Sequence, residues 1–306
     1  MFKKTVLTLA MLGVTTVANA DVLTSIKPLG FIANAITDGV TETKVLLPVT
    51  ASPHDYSLKP SDIEKLKSAQ LVVWVGDGLE AFLEKSIDKL PKEKVLRLED
   101  VPGIKMIVDA TKKKDHDHHD HDHDHDHEHI HGHHHDKDWH IWFSPEASQL
   151  AAEQIAERLT AQLPEKKAKI AENLAAFKAN LADKSNEITQ QLQAVKDKGY
   201  YTFHDAYGYF ERAYGLNSLG SFTINPTIAP GAKTLNAIKE NIAAHKAQCL
   251  FAEPQFTPKV IDSLSKSTAV KVGQLDPLGA KVKLSKTAYP QFLQAIADEF
   301  SQCLTQ

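Results

Sequence analysis

Between Pro164 and Gly199 the chain runs through residues 165–198 without a glycine or proline, and Ile170, Leu174, Phe177, Leu181, Ile188, Leu192 and Val195 recur there at spacings of three, four and seven. That periodicity places them on one stripe of an α-helix. At 1.5 Å per residue such a helix reaches about 50 Å, longer than a small domain is wide. It must join two bodies or pair with a second copy. A coiled-coil arm usually needs three or four clean heptads, and Lys184 and Ser185 interrupt the stripe. We therefore expect residues 164–198 to span and pack on two lobes.

On both sides of this segment short apolar runs alternate with helical stretches. Residues 22–24, 45–47, 71–75 and 94–96 upstream, and 200–203, 219–224, 249–252 and 270–272 downstream, read as strands. Downstream helices are expected over 232–246, 258–267 and 285–303. Ser144-Pro145-Glu146 has the N-cap serine and first-turn proline of a helix start. Strands alternating with helices predict an α/β fold, two lobes each with a mostly parallel sheet flanked by helices and joined by one long α-helix. The expected division is an amino-terminal lobe at 21–163, the linking helix at 164–198 and a carboxy-terminal lobe at 199–306. No Gly-rich phosphate loop and no repeat of 20 to 50 residues interrupts it.

The first 20 residues stand apart. Lys3 and Lys4 precede an uncharged run from Thr5 to Val17, and Ala18-Asn19-Ala20 is a small-x-small cleavage site. This pattern predicts a signal peptide cleaved after Ala20. A membrane anchor needs about 20 apolar residues, and this run is shorter. Export permits a disulfide, and the chain has two cysteines, Cys249 and Cys303, in neither a CxxC nor a zinc spacing. A structural bridge is the expected state, with two buried thiols as the alternative.

Histidine is the unusual entry in the composition, 16 residues beside a net charge of -4. Twelve of them, His116, His118, His119, His121, His123, His125, His127, His129, His131, His133, His134 and His135, fall in one tract between Asp115 and Asp138 with nine acids and one lysine. Such a tract cannot bury a core and is expected to be a disordered loop. Outside it the mature chain is slightly basic, with no stripe suited to nucleic acid. Imidazoles with carboxylates suit zinc, copper or nickel, so the tract is expected to bind metal at many weak overlapping sites.

Four histidines lie elsewhere. His54 follows a strand within Ser52-Pro53-His54-Asp55-Tyr56, His140 lies in Trp139-His140-Ile141-Trp142, and His204 ends the run Tyr201-Thr202-Phe203. Each is at a strand end or loop, where open α/β sheets hold ligands. His245 sits among alanines in a helical stretch and reads as a bystander. Three histidines with a fourth position open suit zinc. Asp276, after the last strand, is the candidate fourth ligand.

Six motifs occur in order: His54-Asp55-Tyr56-Ser57-Leu58-Lys59-Pro60-Ser61-Asp62, the Asp/His tract, Asp138-Trp139-His140-Ile141-Trp142, Phe203-His204-Asp205-Ala206-Tyr207, Phe251-Ala252-Glu253-Pro254-Gln255 and Leu275-Asp276-Pro277-Leu278-Gly279. Together they resemble the zinc-uptake solute-binding proteins of ABC transporters, in the metal-binding cluster whose lobes are joined by one long helix. The resemblance implies a periplasmic receptor, not an enzyme, that binds Zn(II) between its lobes and delivers it to a membrane permease powered by an ATPase. It implies His54, His140 and His204 as ligands. Asp276 matches a position where manganese-type relatives supply a carboxylate. Some zinc members carry a ligating acid just before the first histidine, and Pro53 cannot take that role. The resemblance also implies a Cys249–Cys303 disulfide, a metal-collecting role for the tract, and a monomer that does not itself span the membrane. Small lobe tilts are expected, since a helical link offers few hinges.

Two rival classes stay open at this point. One is a metal-buffering or metal-delivery protein in which the tract is the main site. The other is a secreted zinc hydrolase, which lacks an HExxH or deaminase signature here.

Overall fold

The computed structural model describes residues 21–111, 137–256 and 259–305. The expected signal peptide and the 12 tract histidines, His116 to His135, lie outside the described residues.

In the amino-terminal lobe β1 (Asp21–Thr24), β2 (Glu42–Val45), β3 (Leu71–Trp74) and β4 (Val95–Arg97) form a parallel sheet in the order β2-β1-β3-β4. The central strands are buried along nearly their whole length, as a parallel sheet covered on both faces requires. β2 lies three residues earlier than the apolar run 45–47 suggests. It is an edge strand with exposed Glu42 and Lys44, so it lacks the continuous apolar signal of a central strand. Leu46 and Leu47 still follow β1, their N–H groups donating to the Thr24 and Ser25 carbonyls at 2.8 and 3.0 Å.

Helices α1 (Lys27–Thr37), α2 (Pro60–Ser68), α3 (Asp77–Glu80), α4 (Glu84–Ile87) and α5 (Pro102–Asp109) connect and cover this sheet. A 3-10 turn at Ile141–Phe143 leads into α6 (Pro145–Gln162), whose first turn is capped as expected: Ser144 Oγ accepts the Ala147 N–H at 3.1 Å.

The long helix, α7 (Lys167–Leu192), has 26 residues and follows a 3-10 turn at Pro164–Lys166. Its stripe is buried at Ile170, Phe177, Leu181, Ile188 and Leu192, and packs on α1 and α6. The helix stops short of residue 198. Beyond Leu192 the chain tightens into turns, with Val195 N–H donating to the Leu192 carbonyl and Lys198 N–H to the Val195 carbonyl, to swing into the next strand. Gly199 is required at that entry, since a Cβ there would lie 2.2 Å from the Lys246 carbonyl oxygen.

The carboxy-terminal lobe repeats the plan. β5 (Gly199–His204), β6 (Ser218–Thr223), β7 (Ala247–Ala252) and β8 (Lys271–Gln274) form a second parallel sheet, ordered β6-β5-β7-β8, with α8 (Gly208–Tyr214), α9 (Ala232–Ala243), α10 (Lys259–Thr268) and α11 (Ala288–Thr305). α9 ends before residue 246 because His245 turns left-handed at φ 54°, and the Lys246 N–H closes on the Asn241 carbonyl. His245 is exposed there. A disulfide joins Cys249 in β7 to Cys303 in α11, with Cα atoms 6.1 Å apart.

One continuous apolar core includes β1, β3, α1, α6, α7, α8 and α11, while a smaller cluster around Tyr201, Phe203, Phe222, Ile238 and Leu250 fills the other face of the second sheet. The two sheets are thus joined by shared core as well as by α7. No helix among the described residues is long and apolar enough to cross a membrane.

Candidate metal centre

Both sheets have the same strand order, so in each the chain changes direction between its first and third strands. Crevices form at such switch points, beyond the carboxyl ends of the strands. His204 is the last residue of β5, and Glu253 directly follows β7. The parallel register pairs Thr202 with Phe251, which brings His204 and Glu253 level two residues further on. From the other lobe, the loop after β2 supplies His54, and His140 immediately precedes the Ile141–Phe143 turn.

The three imidazoles converge through the same ring atom. His54 Nε2 lies 3.2 Å from His140 Nε2, which lies 3.3 Å from His204 Nε2, and one ligand atom from each residue falls within 4.8 Å of the others. Nitrogens held about 2.0–2.1 Å from a tetrahedral Zn(II) are separated by about 3.3–3.4 Å. These two edges therefore already match a coordination polyhedron. His140 and His204 are buried and His54 is half-buried.

The remaining ring nitrogens of the two buried histidines face carboxylates. His140 Nδ1 lies 2.8 Å from Asp138 Oδ1, and His204 Nδ1 lies 2.6 Å from Glu253 Oε1. An Nδ1–H donated to a carboxylate fixes the tautomer and leaves Nε2 as a lone pair. Tyr207 donates its hydroxyl to the same Glu253 oxygen at 3.2 Å. Burial, then the Glu253 charge, raises the Tyr207 pKa well above the ordinary range, so it stays a donor.

The walls of the cleft include Pro53, Trp142, Pro226, Phe256, Pro277 and Leu278. They leave about 10 Å³ open to the centre of a water molecule, roughly what a single water needs. The site is thus an N3 cluster in a largely apolar cleft, with room for one small further ligand.

Asp276 is not brought into this group. Its Oδ1 accepts from Gln255 Nε2 at 2.9 Å and the Leu278 N–H at 3.0 Å, and its Oδ2 accepts the Ala280 N–H. These bonds tie down the loop between β8 and α11. Gly279, at φ 61°, lets this loop close against Phe292 and Phe31, which a Cβ there would meet at 2.7 and 2.9 Å. Asp138 and Glu253 were not among the expected site residues. Both lie in motifs quoted above, and for Glu253 an acid just after the strand beside that of His204 was the available signal.

Residues 22–303 match the model of the family described as "ZnuA: Zinc-uptake complex component A periplasmic". The chain is 99% identical over 310 residues to the high-affinity zinc uptake system protein ZnuA of Haemophilus ducreyi, covering all of both chains. It is 52% identical over 334 residues to the protein of that name from Haemophilus influenzae, covering 100% of this chain and 99% of the other. Among solved structures, one titled "Crystal structure of ZnuA" aligns with a TM-score of 0.73 at 24% identity, covering 92% of this chain and 98% of the other. The periplasmic zinc binding protein TroA from Treponema pallidum aligns with a TM-score of 0.77 at 20% identity, covering 94% and 99%. At these identities the structures speak to the fold, and it is the one seen here.

Proposed function

The chain belongs to the ZnuA family of periplasmic zinc-uptake components, and on that premise we propose that His54, His140 and His204 hold Zn(II) between the two lobes. A member of that family is a receptor for its cargo and not an enzyme, which removes the hydrolase reading. The convergence of three Nε2 atoms, with edges of 3.2 and 3.3 Å, carries the assignment. Three imidazoles and an open fourth position are a donor set for zinc, and water or a small ligand completes it. Asp276 in this reading positions the 276–280 loop instead of coordinating.

Family membership implies the other parts of an ABC-type zinc importer as partners. In our reading the protein acts as a monomer that passes zinc to a permease driven by an ATPase. Residues 1–20 direct export and are cleaved after Ala20, and the His/Asp tract is an accessory metal-collecting segment. Capture involves no bond chemistry beyond ligand exchange. Zinc must find the histidines unprotonated, so acid competes with it.

Zinc titration of the wild type, of a deletion of residues 115–136 and of a His54→Ala, His140→Ala, His204→Ala variant tests the assignment. One tight site per chain is expected in the first two and none in the third. A tight site that survives in the triple variant would overturn it.

A further inference from the structure

Three neutral imidazoles bring no charge to a dication held in an apolar cleft. Glu253 is 1% exposed and sits one ring behind His204, and Asp138, 17% exposed at its side chain, sits one ring behind His140. Two carboxylates thus stand where two positive charges would arrive. Among the described residues the only ion-pair partner of Glu253 is His204 itself, and its Oε2 is buried without a hydrogen-bond partner. Placing a carboxylate there costs stability while no cation is present. The cost has a use if the same charge is neutralised when metal enters.

We infer that Glu253 is a positioning residue that both aims His204 Nε2 and supplies buried countercharge for the cargo, with Asp138 as its weaker, more solvated counterpart. The inference rests on the histidine cluster being the zinc site. It explains why Phe203-His204-Asp205-Ala206-Tyr207 and Phe251-Ala252-Glu253-Pro254-Gln255 act as a unit: Tyr207 and His204 from one motif both bond Glu253 of the other. The switch point between β5 and β7 is what sets them side by side. Through the imidazole the countercharge acts on the metal without occupying a coordination position. The fourth position stays free for exchange, which suits a protein that must release its cargo.

Glu253→Gln tests this because the amide keeps the acceptor for His204 Nδ1 and Tyr207 while removing the charge. Three readouts on the full chain are zinc affinity by competition with a chelator, the visible absorption of the Co(II)-loaded protein, and the melting temperature without metal. Zinc should bind 10- to 100-fold more weakly. The Co(II) bands should keep their tetrahedral intensity, and the metal-free variant should melt no lower than wild type. Asp138→Asn should cost less, about tenfold or under, because water already screens that carboxylate. Zinc affinity of Glu253→Gln within threefold of wild type overturns the inference. So does a loss accompanied by a lower metal-free melting temperature or altered Co(II) bands, since that marks a packing role. The triple histidine variant, run alongside, separates the two readings. Tight zinc there removes the site and the inference together, whereas lost zinc there with Glu253→Gln unchanged removes the inference alone.

Discussion

The Trp142 indole N–H donates to the Pro277 carbonyl at 3.0 Å, joining the segment that follows His140 in one lobe to the loop after β8 in the other. Both residues line the metal cleft. Tyr289 of α11 reinforces the link, donating to the Trp142 carbonyl at 2.8 Å. With α7 and a continuous core behind the cleft, the lobes lack the loop hinges that wide closure uses. X-ray scattering with and without zinc should give nearly superimposable profiles, and a large zinc-induced compaction would contradict this.

Asp276 offers a direct contrast with the histidines. Its carboxylate accepts three hydrogen bonds that hold the 276–280 loop. Asp276→Ala should lower stability by about 1–2 kcal/mol, since the three hydrogen bonds lost are part-buried or exposed and water can replace some of them. Zinc affinity should fall less than tenfold. His140→Ala should weaken zinc at least a hundredfold while melting close to wild type in the metal-free state. Calorimetry and chelator competition together separate a ligand from a loop anchor.

Glu80, which is not among the proposed zinc ligands, makes stability depend on pH. It is fully buried, its Oε2 accepting the Val75 and Gly76 N–H groups at 2.9 and 3.2 Å, and burial pushes its pKa up to about 7. The folded pKa lies above the unfolded one, so the native state binds the extra proton. Its contribution is present below about pH 4.5 and is lost as pH rises to about 7, with an upper bound near 3 kcal/mol. Glu211, also raised to about 7 by burial, acts in the same direction. Melting of metal-free Glu80→Gln between pH 4.5 and 8 should show a flatter pH dependence than wild type. An unchanged slope would assign the effect elsewhere.

The Cys249–Cys303 bond clamps α11 onto β7 and closes a loop of 54 residues in sequence separation. Loop entropy alone predicts about 4 kcal/mol, and measured effects usually run 2–4 kcal/mol. A Cys249→Ala, Cys303→Ala variant should melt well below wild type while binding zinc within threefold, because the bridge touches no proposed ligand.

Zinc affinity itself should fall as the solution is acidified, since each proton bound to a ligand nitrogen must leave before metal enters. A flat affinity between pH 7 and pH 5 would be incompatible with an imidazole site.

Much of this was legible locally. The stripe from Ile170 to Leu192 is periodic in the sequence and buried in α7, and Ser144-Pro145-Glu146 caps α6 as its chemistry dictates. Central strands announced themselves because burial on both faces demands apolar runs. Edge strand β2 did not, since one exposed face admits Glu42 and Lys44. The end of α7 was also hidden, because where a helix stops before a strand depends on the neighbour it must meet, here Lys246 beside Gly199.

The sequence by itself determined the element types, the two-lobed organisation and which histidines stood at strand ends or loops. Their chemistry is intrinsic to each side chain and its neighbours in the chain. Only the tertiary structure decided that His54, His140 and His204 meet through Nε2, that Asp276 turns to its own loop, and that Glu253 backs His204. The histidine and Glu253 relations join residues 49 to 150 positions apart through parallel register and the packing of two lobes. No local pattern encodes a distance across a cleft, whereas strand order and a shared core set it within ångströms.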